Sequence, residues 1–416
     1  MGRVSATSLR FNLGQATGWH FGAYPTVSGQ AVTVDRALQH ATAWACIRLL
    51  AQTVATLPLV LYRRGGDGAP APATSHPLFD ILGSQPNADF SDVELWEGVM
   101  VHLLTRGNAF LEIERRGDGG VMALTLLHPD LVQVLRDNLG VRHYAYSDPY
   151  GPRAGFRRIS AEEMLHVRGF GPGGDLGLSP IAFARQSLGI GLAAEESAAR
   201  IFGTGGTPSG FLGWSKGEEP PTKEQWNQMY DRYFGPDNLN KRPGNMVLLP
   251  AGMTFQPIGF SPEDAQMLQS RAFSVEDICR WFDVPPFMVG HTAKSTSFGT
   301  GLEQQNLAFL IYKLRPYLRR ITAAIRQQLL LPEERSTLFA DFNTEDLLQT
   351  DSKSRADYYN RMTGGPVMAL NEARRKLGLP PLDGGDTVRV QMQDVPIGAP
   401  AEEPGAAALE NDGEQG

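Results

Sequence analysis

Gly169, Gly171 and Gly174 satisfy the spacing G-x-G-x-x-G behind a short apolar run, Met164 to Val167, that could be a strand. Glu195 and Glu196 lie about the right distance beyond for a ribose contact. The chemistry of that spacing is pyrophosphate binding, in which the last glycine opens a helix whose free N–H groups hold the phosphates. Here Asp175 to Leu178 intervene, Pro172 removes one N–H from the loop, and the helix start signal is Ser179-Pro180. The stretch therefore reads as a flexible connector whose glycines serve a change of chain direction. A nucleotide-dependent enzyme using residues 169 to 174 stays open as an alternative.

Lys294-Ser295 behind Gly290 has the outline of a P-loop, but Ala293 stands where a glycine is needed, and Gly299 and Gly301 break the segment after the lysine. Ser295, Thr296 and Ser297 come with no sequence signal of a base, and no G-x-S-x-G elbow occurs. The eight histidines never recur at three- to five-residue spacing, and neither Cys46 nor Cys279 has a partner nearby in sequence. Glu162, Glu163, Asp341 and Asp346 read as solvated faces or helix starts rather than a catalytic pair. No catalytic residue, cofactor or metal is expected, and the chain reads as a non-enzyme.

The elements that must position these residues are mixed. A helix is expected from about Val34 to Thr56, with Trp44, Ile47, Ala51 and Val54 on one face and Pro58 closing it. An extended Leu59 to Tyr62 comes next. Ser91 and Glu94 form a capping box at the start of a second helix. NAFLEIERR, RGDGG and VMALTLL read as strand, turn and strand around Asp118-Gly119, and the tripeptide Arg116 to Asp118 is taken as that turn rather than an integrin ligand. LVQVLR, HYAYSD and MLHVR are further short strands. Two helical stretches, about Ser179 to Phe202 and about Ser261 to Phe282, bracket an insert with strand candidates GFLGW, NMVLLP and TFQPIGF and the helix TKEQWNQMYDRYF. A long helix from Leu302 to about Leu330 should kink at Pro316. A last helical pair ends with a helix that starts at an asparagine cap, Asn371.

A chain of 416 residues, 42% hydrophobic and 20% charged, can hold two or three cored domains. Its formal net charge of -7 argues against a sequence-reading DNA binder but is compatible with letting DNA slide past. The two cysteines sit on apolar helix faces, so no disulfide framework is implied and a reducing compartment is expected. No secretory h-region and no apolar run long enough for a membrane span are visible. The tail from 391, rich in Pro, Gly, Ala and acid, is expected to be disordered.

Several stretches, in one order, resemble the portal proteins of tailed bacteriophages, which also occur in phage-derived gene transfer agents. They are ALQHATAWACIRLLAQTVATLPLVLYRR, HPLFDILGSQPN, RGNAFLEIERRGDGG, LHPDLVQV, MLHVRGF followed by GLSPI, SVEDICRWFDVPPFMVG, and NEARRKLGLPPLDGGD, reaching from about residue 32 to 386. The resemblance implies an α+β multidomain portal fold. Residues 1–31 would be a flexible arm, 32–178 an α/β wing, 179–203 and 261–284 the two stem helices, and 204–260 a small α+β clip. Residues 285–332 would carry the tunnel loop and the long wing helix kinked at Pro316. Residues 333–390 would form a short helical crown and 391–416 the acidic tail.

Such proteins form a twelve-subunit ring at one capsid vertex through which double-stranded DNA is packaged and ejected. The resemblance therefore implies a homo-oligomer whose partners are the major capsid protein, the terminase large subunit, a head–tail adaptor and DNA of any sequence, with no membrane. It places the chain in a virion or gene transfer agent particle after assembly in the bacterial cytoplasm. It puts Lys294, Ser295, Thr296 and Ser297 in the tunnel loop beside passing DNA. Glu263, Asp264, Glu276 and Asp277 become stem carboxylates that either face the channel and repel phosphate or pair between subunits. Trp214, Trp226, Tyr230 and Phe234 fall in the clip, where packaging motor and adaptor would dock. A monomeric scaffold or adaptor is the remaining alternative.

Overall fold

The structure, a computed structural model, describes residues 24–65, 70–148, 155–203, 210–214, 222–234, 253–257, 274–291, 300–344, 352–365 and 367–388. It divides into two compact units, Met1–Asn343 and Thr344–Gly416. The fold is mixed α and β, with short antiparallel sheets and helices laid against them.

The chain enters the first unit through a two-stranded ladder, β1 (Tyr24–Pro25) and β2 (Ala31–Val32). Part of the expected flexible arm is thus ordered: the Val27 N–H donates to Gln186 Oε1 at 3.1 Å, tying the turn to a helix 159 residues away. The helix expected over Val34 to Thr56 is two helices, α1 (Val34–Gln39) and α2 (Ala41–Ala55). The break is His40, extended at φ -73 and ψ 120, whose Nδ1 accepts the Thr42 N–H. Its ring is held by α5 (Pro180–Gly203): a Cβ at Gly191 would stand 2.6 Å from His40 Nε2, which lies 3.7 Å from Glu195 Oε1. Tertiary docking has overridden helix propensity at this residue. The buried face of α2 is Ala43, Cys46, Ile47, Leu50, Ala51 and Val54, whereas Trp44 is half exposed and off the face expected for it.

Strands β3 (Leu59–Arg64) and β4 (Pro70–Pro72) come next, then α3 (Pro77–Gly83) and α4 (Asp92–Arg106). The capping box of α4 forms as its spacing predicts. Ser91 Oγ accepts the Glu94 N–H at 3.3 Å, and Glu94 Oε2 accepts the Ser91 N–H at 2.9 Å. The hairpin β5 (Asn108–Arg115) and β6 (Val121–Leu127) turns at Asp118-Gly119, where Gly119 adopts φ +85 and Asp118 Oδ1 accepts the Gly120 N–H. The strand β10 (Met164–Arg168) pairs on the other edge of β5.

A second sheet runs β7 (Val132–Arg136), β8 (Arg142–Asp148) and β9 (Gly155–Ser160), all antiparallel. The third of these is not among the expected strands, because its sequence GFRRIS alternates too weakly to register. Phe110, Leu127, Val132, Tyr144, Ile159 and Met164 join the two sheets in one buried cluster.

Beyond α5, β11 (Gly210–Trp214) pairs with β12 (Met253–Pro257), and α6 (Lys223–Phe234) lies between them in sequence. The strand candidate NMVLLP lies outside the described residues. So does the first part of the stretch expected over Ser261 to Phe282, of which residues 274–281 are helical. That helix meets α2 through Cys46 and Cys279, both buried, their sulfurs 3.9 Å apart.

The long helix begins at Thr300: α7 (Thr300–Phe309) passes through a π turn, Leu310–Leu314, into α8 (Arg315–Gln328). Pro316 has no N–H for the carbonyl of residue 312, and the chain departs from α geometry one turn upstream of it. One face of α8, carrying Leu318, Ile321, Thr322 and Ile325, is buried against β10 and β13 (Leu338–Phe342). Residues 338–342, which the expected division puts in the crown, are a strand paired to β3 in the first unit. They add apolar Leu338, Ala340 and Phe342 to the core at alternate positions, a signal too short to separate from loop.

In the second unit are α9 (Ser352–Gly364) and α10 (Leu370–Lys376). The expected asparagine cap is not one. Ala369 is the cap residue and Asn371 sits inside the helix, buried, accepting the Leu382 N–H at 2.8 Å and donating to its carbonyl at 2.9 Å. A side chain that could satisfy its own helix instead ties down a distant loop.

Candidate functional site

The glycine loop 169–178 sits where three backbone segments cross. Gly107, the left-handed cap of α4 at φ +74, accepts the Gly169 N–H at 2.8 Å. A Cβ on Gly169 would lie 2.8 Å from Gly107 O, and one on Gly177 would lie 2.7 Å from Gly169 N. No side chain fits at these crossings, so these glycines answer a close approach of main chain. The motif glycines Gly171 and Gly174 meet no such wall: the nearest neighbour of a Cβ on Gly171 would be 3.5 Å away, and Gly174 has open space at φ +122. Helix α5 begins six residues past Gly174, and its first turn is capped by Ser179 Oγ, which accepts the Ala182 N–H and donates to the Thr105 carbonyl.

Behind the crossing is a buried polar cluster. Asn108 Oδ1 accepts the Gly177 N–H at 2.8 Å, and its Nδ2 donates to the Gly177 carbonyl at 2.9 Å. His166 reaches Asn108 Oδ1 through Nε2 at 3.1 Å and Tyr144 Oη through Nδ1 at 3.2 Å. With Nε2–H as the donor, Nδ1 accepts from the Tyr144 hydroxyl, and neutral imidazole meets both partners. Burial, then Arg168 and Arg142, pushes the His166 pKa well below the ordinary histidine value. The Gln328 side chain completes the cluster by accepting the His166 N–H at 2.6 Å. Strand, connector and long helix are thus joined through two side-chain amides, Asn108 and Gln328, and one imidazole.

In front of the loop, between it and α8, opens a cavity of about 250 Å³ lined by His166, Arg168, Gly171, Gly174, Arg320 and Gln327 among others. Arg320 Nη1 donates to the Gly169 carbonyl at 2.9 Å and Arg168 Nη1 to the Gly174 carbonyl at 2.8 Å. Asp175 is the carboxylate of the loop, and it is occupied by Arg136 and Arg142 at 2.6–2.7 Å, which hold its pKa down at about 2. Arg320 had no sequence signal linking it to the loop: it is 151 residues from Gly169 and lies on the polar side of an amphipathic helix.

Of the residues singled out from sequence, Lys294, Ser295, Thr296, Ser297, Glu263 and Asp264 lie outside the described residues. Glu276 and Asp277 lie on the helix of residues 274–281, and both are engaged by Arg280, Glu276 at 3.7 Å. His291 approaches Glu276 Oε1 at 4.0 Å. Asp283, left-handed at φ +57, accepts from Lys313 Nζ at 2.5 Å. Pro316 occupies the first turn of α8. Trp214 lies in β11, and Trp226, Tyr230 and Phe234 recur every fourth residue along α6, with Trp226 exposed. Among the described residues no group of three or more metal-ligating side chains converges, and no helix is long and apolar enough to cross a membrane.

The family model described as phage portal protein matches residues 41–378. The portal protein of Enterobacteria phage HK97 is 35% identical over 392 residues, covering 93% of this chain and 89% of that protein. The probable portal protein of Streptomyces phage phiC31 is 31% identical over 394 residues, covering 91% and 82%. Among solved structures, the neck of a native gene transfer agent particle, computed with twelve-fold symmetry, superposes with a TM-score of 0.56 at 24% identity, covering 82% of this chain and 91% of that one.

Proposed function

The chain belongs to the phage portal proteins, and from that premise we propose that about twelve copies close into a ring whose stem lines a channel for double-stranded DNA. The ring is a structural part of a capsid vertex without catalytic activity, and its clip docks the packaging terminase and later the head–tail adaptor.

One observation carries the ring. Phe183 and Ile190, on one side of α5, are about half exposed, as is Trp281. Trp281 Nε1 donates to Ser187 Oγ at 3.1 Å, so the three apolar side chains gather around one strip of the stem. An apolar strip of this kind on a helix marks a protein contact. In a closed ring each strip meets a different patch of its neighbour, and the same contact repeats until it closes. Native mass spectrometry with negative-stain imaging should find rings of about twelve with a central hole. The double variant Phe183→Asp, Ile190→Asp should stay folded by circular dichroism yet run as a monomer. Rings of unchanged yield from that variant would remove the strip from the interface, and a wild type that stays monomeric at capsid-assembly concentrations would count against the ring itself.

The tunnel loop belongs to the same reading. Lys294, flanked by Ser295, Thr296 and Ser297, touches phosphates without reading sequence as DNA moves past. Lys294→Ala should leave ring mass unchanged and alter the length or retention of packaged DNA. Particles of normal yield and normal DNA length would refute this role.

A further inference from the structure

We propose that the cavity between the glycine loop and α8 is a phosphate-binding site, held by Arg168 and Arg320. It lies in the wing rather than in the tunnel loop or stem, and nothing in the ring or channel requires it.

The case starts from charge. Each arginine spends one Nη1 on a loop carbonyl, Arg168 on Gly174 and Arg320 on Gly169, with a longer bond from Arg320 to the Arg168 carbonyl at 3.3 Å. Those bonds fix the direction of both guanidinium groups at the rim of one cavity and leave their other nitrogens without a described partner. Among the described residues neither arginine has a carboxylate within ion-pair distance, whereas Arg106, Arg136, Arg142, Arg157 and Arg280 all have one. Asp175, the acid that could have neutralised them, is held by Arg136 and Arg142.

The rest of the lining is neutral. His166 is kept uncharged by burial, and its ring nitrogens are occupied by Asn108 and Tyr144. Gln327, Gln328 and glycine backbone make up most of what remains. A site with two oriented guanidinium forks, neutral amides and no carboxylate suits a tetrahedral oxyanion, which can accept two parallel N–H bonds from each fork. At about 250 Å³ the space is well above what a single water needs. The connector thus keeps the ligand class that its glycine spacing suggests but by a different device: side chains 152 residues apart supply the donors, in place of a helix N-terminus.

The phosphate could come from a free phosphate group or from the DNA backbone, and the two are separable. The test is isothermal titration of the assembled full-length protein with inorganic phosphate and pyrophosphate at fixed ionic strength, then with a short duplex DNA. Saturable binding of one phosphate per chain is expected, weakened roughly tenfold or more in Arg168→Gln and in Arg320→Gln. Arg136→Gln, which removes a guanidinium already paired with Asp175, should leave it unchanged. If duplex binding weakens in the same two variants the source is DNA; if only pyrophosphate and phosphate respond, it is a free phosphate group. Absence of saturable phosphate binding in the wild type, or equal binding in both variants, overturns the site. Should Arg320→Gln fail to assemble because its carbonyl bonds are lost, Arg168→Gln alone decides.

Discussion

Gly177→Ala is expected to lower the stability of the first unit by about 3 kcal/mol, while Gly171→Ala, inside the G-x-G-x-x-G spacing, stays within about 1 kcal/mol. The difference is main-chain contact. A Cβ at 177 would stand 2.7 Å from Gly169 N and closer still to the Gly107 carbonyl, and both atoms belong to backbone that is itself hydrogen-bonded across the crossing. Relief would require the β5 start, the connector and the head of α5 to separate together, because Asn108 clamps Gly177 on both its N–H and its carbonyl. At Gly171 the nearest atom is 3.5 Å away and the backbone is not left-handed, so alanine meets ordinary contact. A nucleotide loop would invert this order, since its second glycine is the one that phosphate approaches. Thermal melting of the two variants should separate them by roughly 3–4 °C; variants that melt together would show that the crossing can relax.

Acid should weaken the first unit before carboxylates titrate. The imidazole of His102 is pushed down to about 3 by burial, helped by His128 and Arg106, and its Nδ1 has no hydrogen-bond partner among the described residues. That of His166 is lowered well below its usual value by burial and by Arg168 and Arg142. In the unfolded chain both titrate near about 6.5. Below that pH the unfolded state takes up protons that the folded state refuses, so stability falls as pH drops from about 6.5 toward the folded values. Each group adds a slope of up to about 1.4 kcal/mol per pH unit below its unfolded-state value, so stability falls between pH 7 and 5.5. Urea unfolding monitored by tryptophan fluorescence across that range measures it. His102→Leu, which removes one titrating group and one unsatisfied nitrogen, should roughly halve the slope. A wild type with flat stability from pH 7 to 5.5 would contradict the assignment of both histidines as buried and neutral.

Features made by near neighbours were legible in the chain before any fold was known. Ser91 with Glu94, Asp118 with Gly119, and Ser179 with Pro180 each act through partners a few residues away, so their caps and turn can be read from spacing. The order of several short stretches carried the family, because each is a run of neighbours. Meetings across the chain were left to tertiary packing. The break at His40 comes from Gly191 and Glu195, the position of Asn371 from Leu382, and residues 338–342 become a strand only beside β3. The same holds for the connector. Spacing pointed to Gly169, Gly171 and Gly174, but the crossing makes Gly107, Gly169 and Gly177 the indispensable ones. It also brings Arg320 from α8 to a loop 151 residues earlier. A Cβ that is harmless in an isolated turn is intolerable where another backbone passes within hydrogen-bonding distance, and that distance is set by packing rather than by neighbours in sequence.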